Sequence, residues 1–115
     1  MKYLCLLYAD EAQYPKLTKA EADQWMAEFA AFTDDIKRSG HFVASNRLQP
    51  TQAATTVRVR NGKLSTTDGP FVETKEQLGG YYLIEARDLN DAISVAGKIP
   101  GARFGSVEVR PIMDM

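Results

Sequence analysis

Between Asp68 and Tyr82 the chain gathers groups that acid–base or binding chemistry would use: Asp68, Glu73, Lys75, Tyr81 and Tyr82, punctuated by Gly69, Pro70, Gly79 and Gly80. Asp68 is the candidate catalytic residue. A carboxylate drawn out of water has its pKa raised toward the range in which it serves as a general base. Glu73, Lys75, Tyr81, Tyr82 and the earlier Arg47 are the candidate ligand-binding residues. Charged groups would orient a polar ligand, and a phenol can both stack on and hydrogen-bond to an aromatic one.

The same stretch has a structural reading. Asp68-Gly69-Pro70 is a stiff turn, because aspartate can bond the backbone two residues on and proline fixes φ. Phe71 is expected to plug into the core behind it, and a Glu73–Lys75 ion pair to position the loop. Thr74-Lys75-Glu76-Gln77 has capping-box spacing. It predicts one helical turn over Lys75 to Leu78, released by Gly79 and Gly80.

Composition narrows the chemistry. Cys5 and His41 are the only cysteine and histidine, too few for an internal disulfide or a zinc site of soft ligands. No Gly-rich phosphate motif occurs, and Glu73 and Glu76 would repel an anion from the predicted turn. No cofactor and no metal are expected. Fourteen Lys+Arg against fifteen Asp+Glu leave a net charge of −1, which argues against nucleic acid or an anionic membrane as partner. The apolar run Tyr3 to Ala9 is too short for a signal segment or a membrane span, so the expected compartment is the cytoplasm. At 115 residues the chain is read as a single domain, 1–115.

The elements that must position these groups follow from periodicity. Tyr3 to Tyr8 is apolar on both alternating faces, as in a strand covered on both sides. Thr18-Lys19-Ala20-Glu21 is a capping box opening a helix of about twenty residues, with Trp25, Phe29, Phe32 and Ile36 as its apolar stripe. That stripe is read as core packing. Gly40 closes the helix, and His41 beside it is read as a partner of the helix dipole. Phe42 to Leu48 is a strand. Asn61-Gly62 joins Thr55–Arg60 to Lys63–Thr66 as a hairpin with a wet, basic side at Arg58 and Arg60. Tyr81 to Ala86 is a strand, Leu89 to Ile99 a helix, and Ser106 to Arg110 a last strand.

This order predicts an α+β fold of the ferredoxin-like split β-α-β kind: an antiparallel sheet, two helices on one face and an extra hairpin. The other face would expose apolar side chains, which predicts a homodimer formed through the sheet face.

Thr55-Thr56-Val57-Arg58, the run Thr67 to Tyr81 around Asp68-Gly69-Pro70-Phe71, and the later Ile99-Pro100 and Gly105 to Pro111 give the chain a resemblance to the YCII-related family, in its DGPF-domain branch. The resemblance covers nearly the whole chain. It implies a dimeric α+β barrel. It also implies an accessory or regulatory role for some members, which are encoded beside or fused to extracytoplasmic-function sigma factors. Relatives in the wider group are proposed enzymes with a His/Asp pair, one of which dehydrochlorinates a hydroxyquinone, but His41 does not match that catalytic histidine. Two functional expectations follow. One is a small-molecule site near Asp68, catalytic or purely binding, for a small aromatic or polar ligand. The other is a non-catalytic module contacting a sigma factor.

Overall fold

The computed structural model describes residues 1–114. The chain runs β1 (Lys2–Ala9), α1 (Lys19–Arg38), β2 (Phe42–Arg47), β3 (Thr55–Arg60), β4 (Lys63–Asp68), β5 (Gln77–Glu85), α2 (Leu89–Ala96) and β6 (Ser106–Pro111). Short 3-10 turns at Glu11–Lys16, Thr51–Ala53 and Pro100–Arg103 link them. At the start of α1, the Thr18 hydroxyl accepts from the Glu21 amide at 3.1 Å, and Glu21 Oε1 accepts from the Thr18 amide at 2.9 Å. These bonds satisfy two of the N–H groups that a helix start leaves open. They also favour the charged carboxylate, which holds Glu21 below its usual range.

β1, β2, β5 and β6 form an antiparallel sheet in the order β2-β5-β1-β6. Strand alternation puts Tyr3 and Cys5 of β1 on the same side as Tyr82 and Ile84 of β5. There they meet Phe32 and Ile36 of α1, Ala92, Val95 and Ala96 of α2, and Ile99. This layer is the core, and Cys5 and Ile84 are wholly inaccessible within it. Burial pushes the Cys5 thiol up to about 11, so it is uncharged and unreactive near neutral pH. Tyr82 stacks edge-on against Phe32 at 5.1 Å, and its hydroxyl lies 2.8 Å from Thr33 Oγ1. Leu4, Leu6, Tyr81 and Leu83 lie on the other side of the sheet and are only half-buried.

β3 and β4 form a separate two-stranded ribbon. Its turn has φ of 52° at Asn61 and 74° at Gly62, the two positive values that a hairpin of this hand requires. Val57, Val59 and Leu64 share one side of the ribbon and are 58, 57 and 69% exposed. The radius of gyration, 16.2 Å, exceeds the roughly 13 Å of a compact chain of this length, and the molecule is only 19 Å thick. It is a plate, one sheet and one helix layer deep.

Four expectations are corrected. The sheets do not close into a barrel: the four-stranded sheet is open, ending at β2 and β6, and the ribbon does not extend it. Barrel closure needs the end strands to pair with each other, and here each pairs on one side only. The helical turn over Lys75 to Leu78 does not form, because Gln77 and Leu78 pair with Ala9 and Tyr8 of β1. A one-turn helix cannot compete with a strand ladder, since its nucleation fixes several residues for one hydrogen bond. The supposed capping side chains bind carbonyls instead: Thr74 Oγ1 donates to Glu76 O and Gln77 Nε2 to Thr74 O. Phe71 does not enter the core but is 77% exposed. The second helix ends at Ala96, not Ile99, and Gly97 caps it.

Candidate functional site

A cavity of about 320 Å³ opens where the first half of α1 passes over one end of the sheet. Trp25, Met26 and Phe29 of α1 form its roof. Beneath them lie the last residues of β1, the end of β2 at Arg47, and Gly79 to Tyr82 of β5. Gly80 lies on the same side of β5 as Tyr82 and Ile84, and it offers no side chain to fill the space. No other residue fits there: a Cβ at Gly80 would stand 2.9 Å from the Asn46 carbonyl oxygen. Gly101, across the cavity, likewise leaves room beside Phe29 and Leu7.

The 3-10 turn at Glu11–Lys16 closes one side, and hydrogen bonds far apart in sequence hold it there. The Glu11 carboxylate accepts from the Thr51 amide at 3.1 and 3.3 Å and from the Thr51 hydroxyl. The Glu11 amide donates to Gln77 Oε1 at 3.0 Å. The turn thereby presents Tyr14 to the cavity near Arg47. Burial pushes the Tyr14 phenol up, and the nearby Arg47 charge partly opposes that shift.

Arg47 and Glu11 are the cation and the acid of the lining. Glu11 is satisfied by Thr51. Arg47 has no comparable protein partner: its Nη1 donates to Met26 Sδ at 3.3 Å, a weak acceptor, the rest of the guanidinium is open to solvent, and no carboxylate pairs with it among the described residues.

Of the residues singled out from sequence, the structure brings Arg47 and Tyr82 together on the helix side of the sheet at this cavity, while Tyr81 borders it from β5 with its side chain on the opposite face. Tyr82 directs its hydroxyl to Thr33, and burial raises its pKa while that hydrogen bond lowers it. Tyr81 takes a 2.8 Å hydrogen bond from Asn46 Nδ2. Asp68, Glu73 and Lys75 are not brought to it. Asp68 ends β4 on the exposed ribbon, and Glu73 and Lys75 are exposed in the segment leading to β5. No Glu73–Lys75 ion pair is present among the described residues. Sequence reasoning missed Glu11 and Tyr14, and it read Trp25 and Phe29 as core packing alone, whereas they also border the cavity. The available signal was Gly80 on the helix-facing side of a strand, opposite an aromatic stripe.

A second polar cluster joins the end of α1 to the start of α2. His41 Nε2 lies 3.1 and 3.2 Å from the Asp91 carboxylate oxygens, and Nδ1 lies 2.7 Å from Ser39 Oγ. Asp91 also accepts from the Arg87 amide at 3.0 Å. That amide bond first, then His41 and the Arg87 charge, hold the Asp91 carboxyl below its usual range. Ser39, His41 and Asp91 are in line, but Ser39 caps the carbonyl end of α1, where the dipole disfavours an alkoxide. The cluster works as a tie between helices. His41 does sit at the helix end, as its sequence position suggested, yet its ring reaches across to the other helix.

Among the described residues, no group of three His, Cys, Asp or Glu side chains could hold a metal ion, and no helix is long and apolar enough to cross a membrane. The sequence model of the YCII-related domain matches residues 1–115. The chain belongs to the YCII-related family. It is 39% identical over 114 residues to an uncharacterised protein of Rhizobium meliloti (strain 1021), covering 97% of this chain and 92% of that one. The match is to the YCII-related domain as a whole. Within this YCII-related chain, the implied barrel is absent, and the mouth of a barrel is not where a site can be sought.

Proposed function

We propose that this YCII-related protein binds a small, largely apolar molecule in the cavity between α1 and the sheet, with Arg47, Tyr81 and Tyr82 among the residues that line it. The observation that carries this reading is the cavity itself: about 320 Å³, roofed by aromatic side chains, with a guanidinium at β2 that has no carboxylate partner among the described residues. Its volume lies at the low end of ligand pockets, which are predominantly apolar with a few polar groups that fix orientation. Trp25, the only tryptophan, is part of the lining and reports on occupancy. Titration with small aromatic compounds is expected to give a saturable change in Trp25 fluorescence and a rise in melting temperature. No response from any member of a panel of aromatic acids, lactones and quinols would overturn the reading. A cytoplasmic setting goes with it, because Cys5 is a lone buried thiol without a disulfide partner.

A second copy of the chain is proposed to cover the open face of the sheet at Leu4, Leu6 and Leu83, since half-exposed apolar side chains lie there without a helix over them. Light scattering at micromolar concentration would give twice the chain mass; a monomer would refute it.

The alternative reading is an accessory module that contacts an extracytoplasmic-function sigma factor. What favours a protein contact is the ribbon, where the exposed Val57, Val59 and Leu64 back onto Arg58 and Arg60. Asp68, Glu73 and Lys75 would belong to this surface and not to the cavity. Co-purification with a purified sigma factor, lost on Arg58→Glu/Arg60→Glu, would support it; no co-purification at micromolar concentration would remove it.

A further inference from the structure

We infer that the cavity's ligand is a small aromatic carboxylate, its acid group held by Arg47 and its ring lodged under Trp25 and Phe29. This rests on the proposed binding function and names its substrate class. Three features select for an anion with a flat apolar body. The first is charge. Arg47 presents a fork of N–H donors, of which one meets only a thioether sulfur at 3.3 Å. A carboxylate matches that fork with two parallel charge-assisted hydrogen bonds, which a neutral or cationic ligand cannot make. The lining's acid, Glu11, does not compete for Arg47, because its oxygens are taken up by Thr51 across the loop.

The second feature is a neutral donor near that cation. The Tyr14 phenol stays protonated at neutral pH and can give a third hydrogen bond to a carboxylate oxygen. The third is the roof. Trp25 and Phe29 meet edge to face at 5.1 Å and 73°, so two ring surfaces of different orientation border the space. A planar ring can stack against one and present its edge to the other. Met26 beside them adds a polarizable sulfur that adapts to an aromatic guest. Gly80 and Gly101 border the cavity without adding side chains to it.

The test uses benzoate and its neutral counterpart benzamide, titrated by calorimetry and Trp25 fluorescence into the wild-type chain, Arg47→Met and Tyr14→Phe. Arg47→Met keeps a flexible stem at an exposed position, so the fold is expected to stay intact, and circular dichroism verifies this. Benzoate is expected to saturate the wild-type protein with a dissociation constant in the micromolar to millimolar range, and to bind Arg47→Met at least about tenfold more weakly. Tyr14→Phe is expected to weaken benzoate about threefold to tenfold, and benzamide to bind wild type and Arg47→Met alike and weakly. If benzamide binds wild type as tightly as benzoate, or benzoate is indifferent to Arg47→Met, the carboxylate assignment is overturned while the cavity function stands. If neither compound binds, nor any other aromatic probe, both fall.

Discussion

The cavity end of the sheet and the His41–Asp91 corner contain similar groups used in opposite ways. At the corner every polar group has a partner: His41 has Ser39 and Asp91, and Asp91 has the Arg87 amide and guanidinium. At the cavity, Arg47 faces a sulfur atom and Tyr14 opens onto empty space. A charge partnered within the protein locks two elements together; one whose remaining partners are water can exchange them for a guest. The difference predicts that corner residues govern stability and cavity residues govern binding.

The largest expected effect lies beneath both regions. Ile84 of β5 is fully buried beneath the two helices, and Ile84→Ala is expected to lower stability by about 2–5 kcal/mol in urea unfolding. A loss below about 1 kcal/mol would show that the core relaxes around the gap. Next comes Asp91. Its folded pKa is depressed, so its contribution is present above the unfolded carboxylate value and is lost as pH falls through the lower folded value. Asp91→Asn should therefore reduce stability at pH 6–7 and flatten the decline below pH 4. An unchanged acid limb would break the contrast between the two regions.

Tyr82 borders the cavity, yet its hydroxyl has a protein partner as the corner groups do, and Tyr82→Phe is expected to cost about 1 kcal/mol, since Thr33 Oγ1 keeps its 2.9 Å bond to the Phe29 carbonyl. A cost above about 3 kcal/mol would mean that the hydroxyl anchors more than one helix contact. Smallest in stability is Arg47→Met, expected within about 0.5 kcal/mol of wild type because the side chain is exposed and has no carboxylate partner among the described residues. A larger loss would move Arg47 into the structural class and remove the distinction.

Much of the fold was written locally. The Thr18–Glu21 capping box, the stripe from Trp25 to Ile36 and the Asn61-Gly62 turn each depend on neighbours within a few residues, and sequence spacing reports those directly. The misjudged parts depend on distant ones. Thr74 to Gln77 has helix-start chemistry, but the pairing of Gln77 with Ala9, sixty-eight residues away, decides its fate. Phe71 is apolar without being core, because hydrophobicity alone does not show whether a wall stands nearby. Most of the candidate site was hidden for the same reason. Glu11 meets Thr51, forty residues on, and Arg47 meets Met26. Asp68 attracted attention through its stiff turn, yet its strand pairs with Thr55 on a ribbon that stands outside the sheet.

That ribbon has a consequence for motion. Two strands without a third are marginal by themselves, and little is buried along β3 and β4. Its amides should exchange with solvent through local opening, long before those of β1 and β5, which wait for the whole chain to unfold. Thr55 and Asp68 sit side by side at its base, so the chain leaves the body and returns to it a single strand spacing away. The ribbon is thus a detachable module: it could be lengthened, shortened or replaced by a tight turn while the body of the protein folds as before.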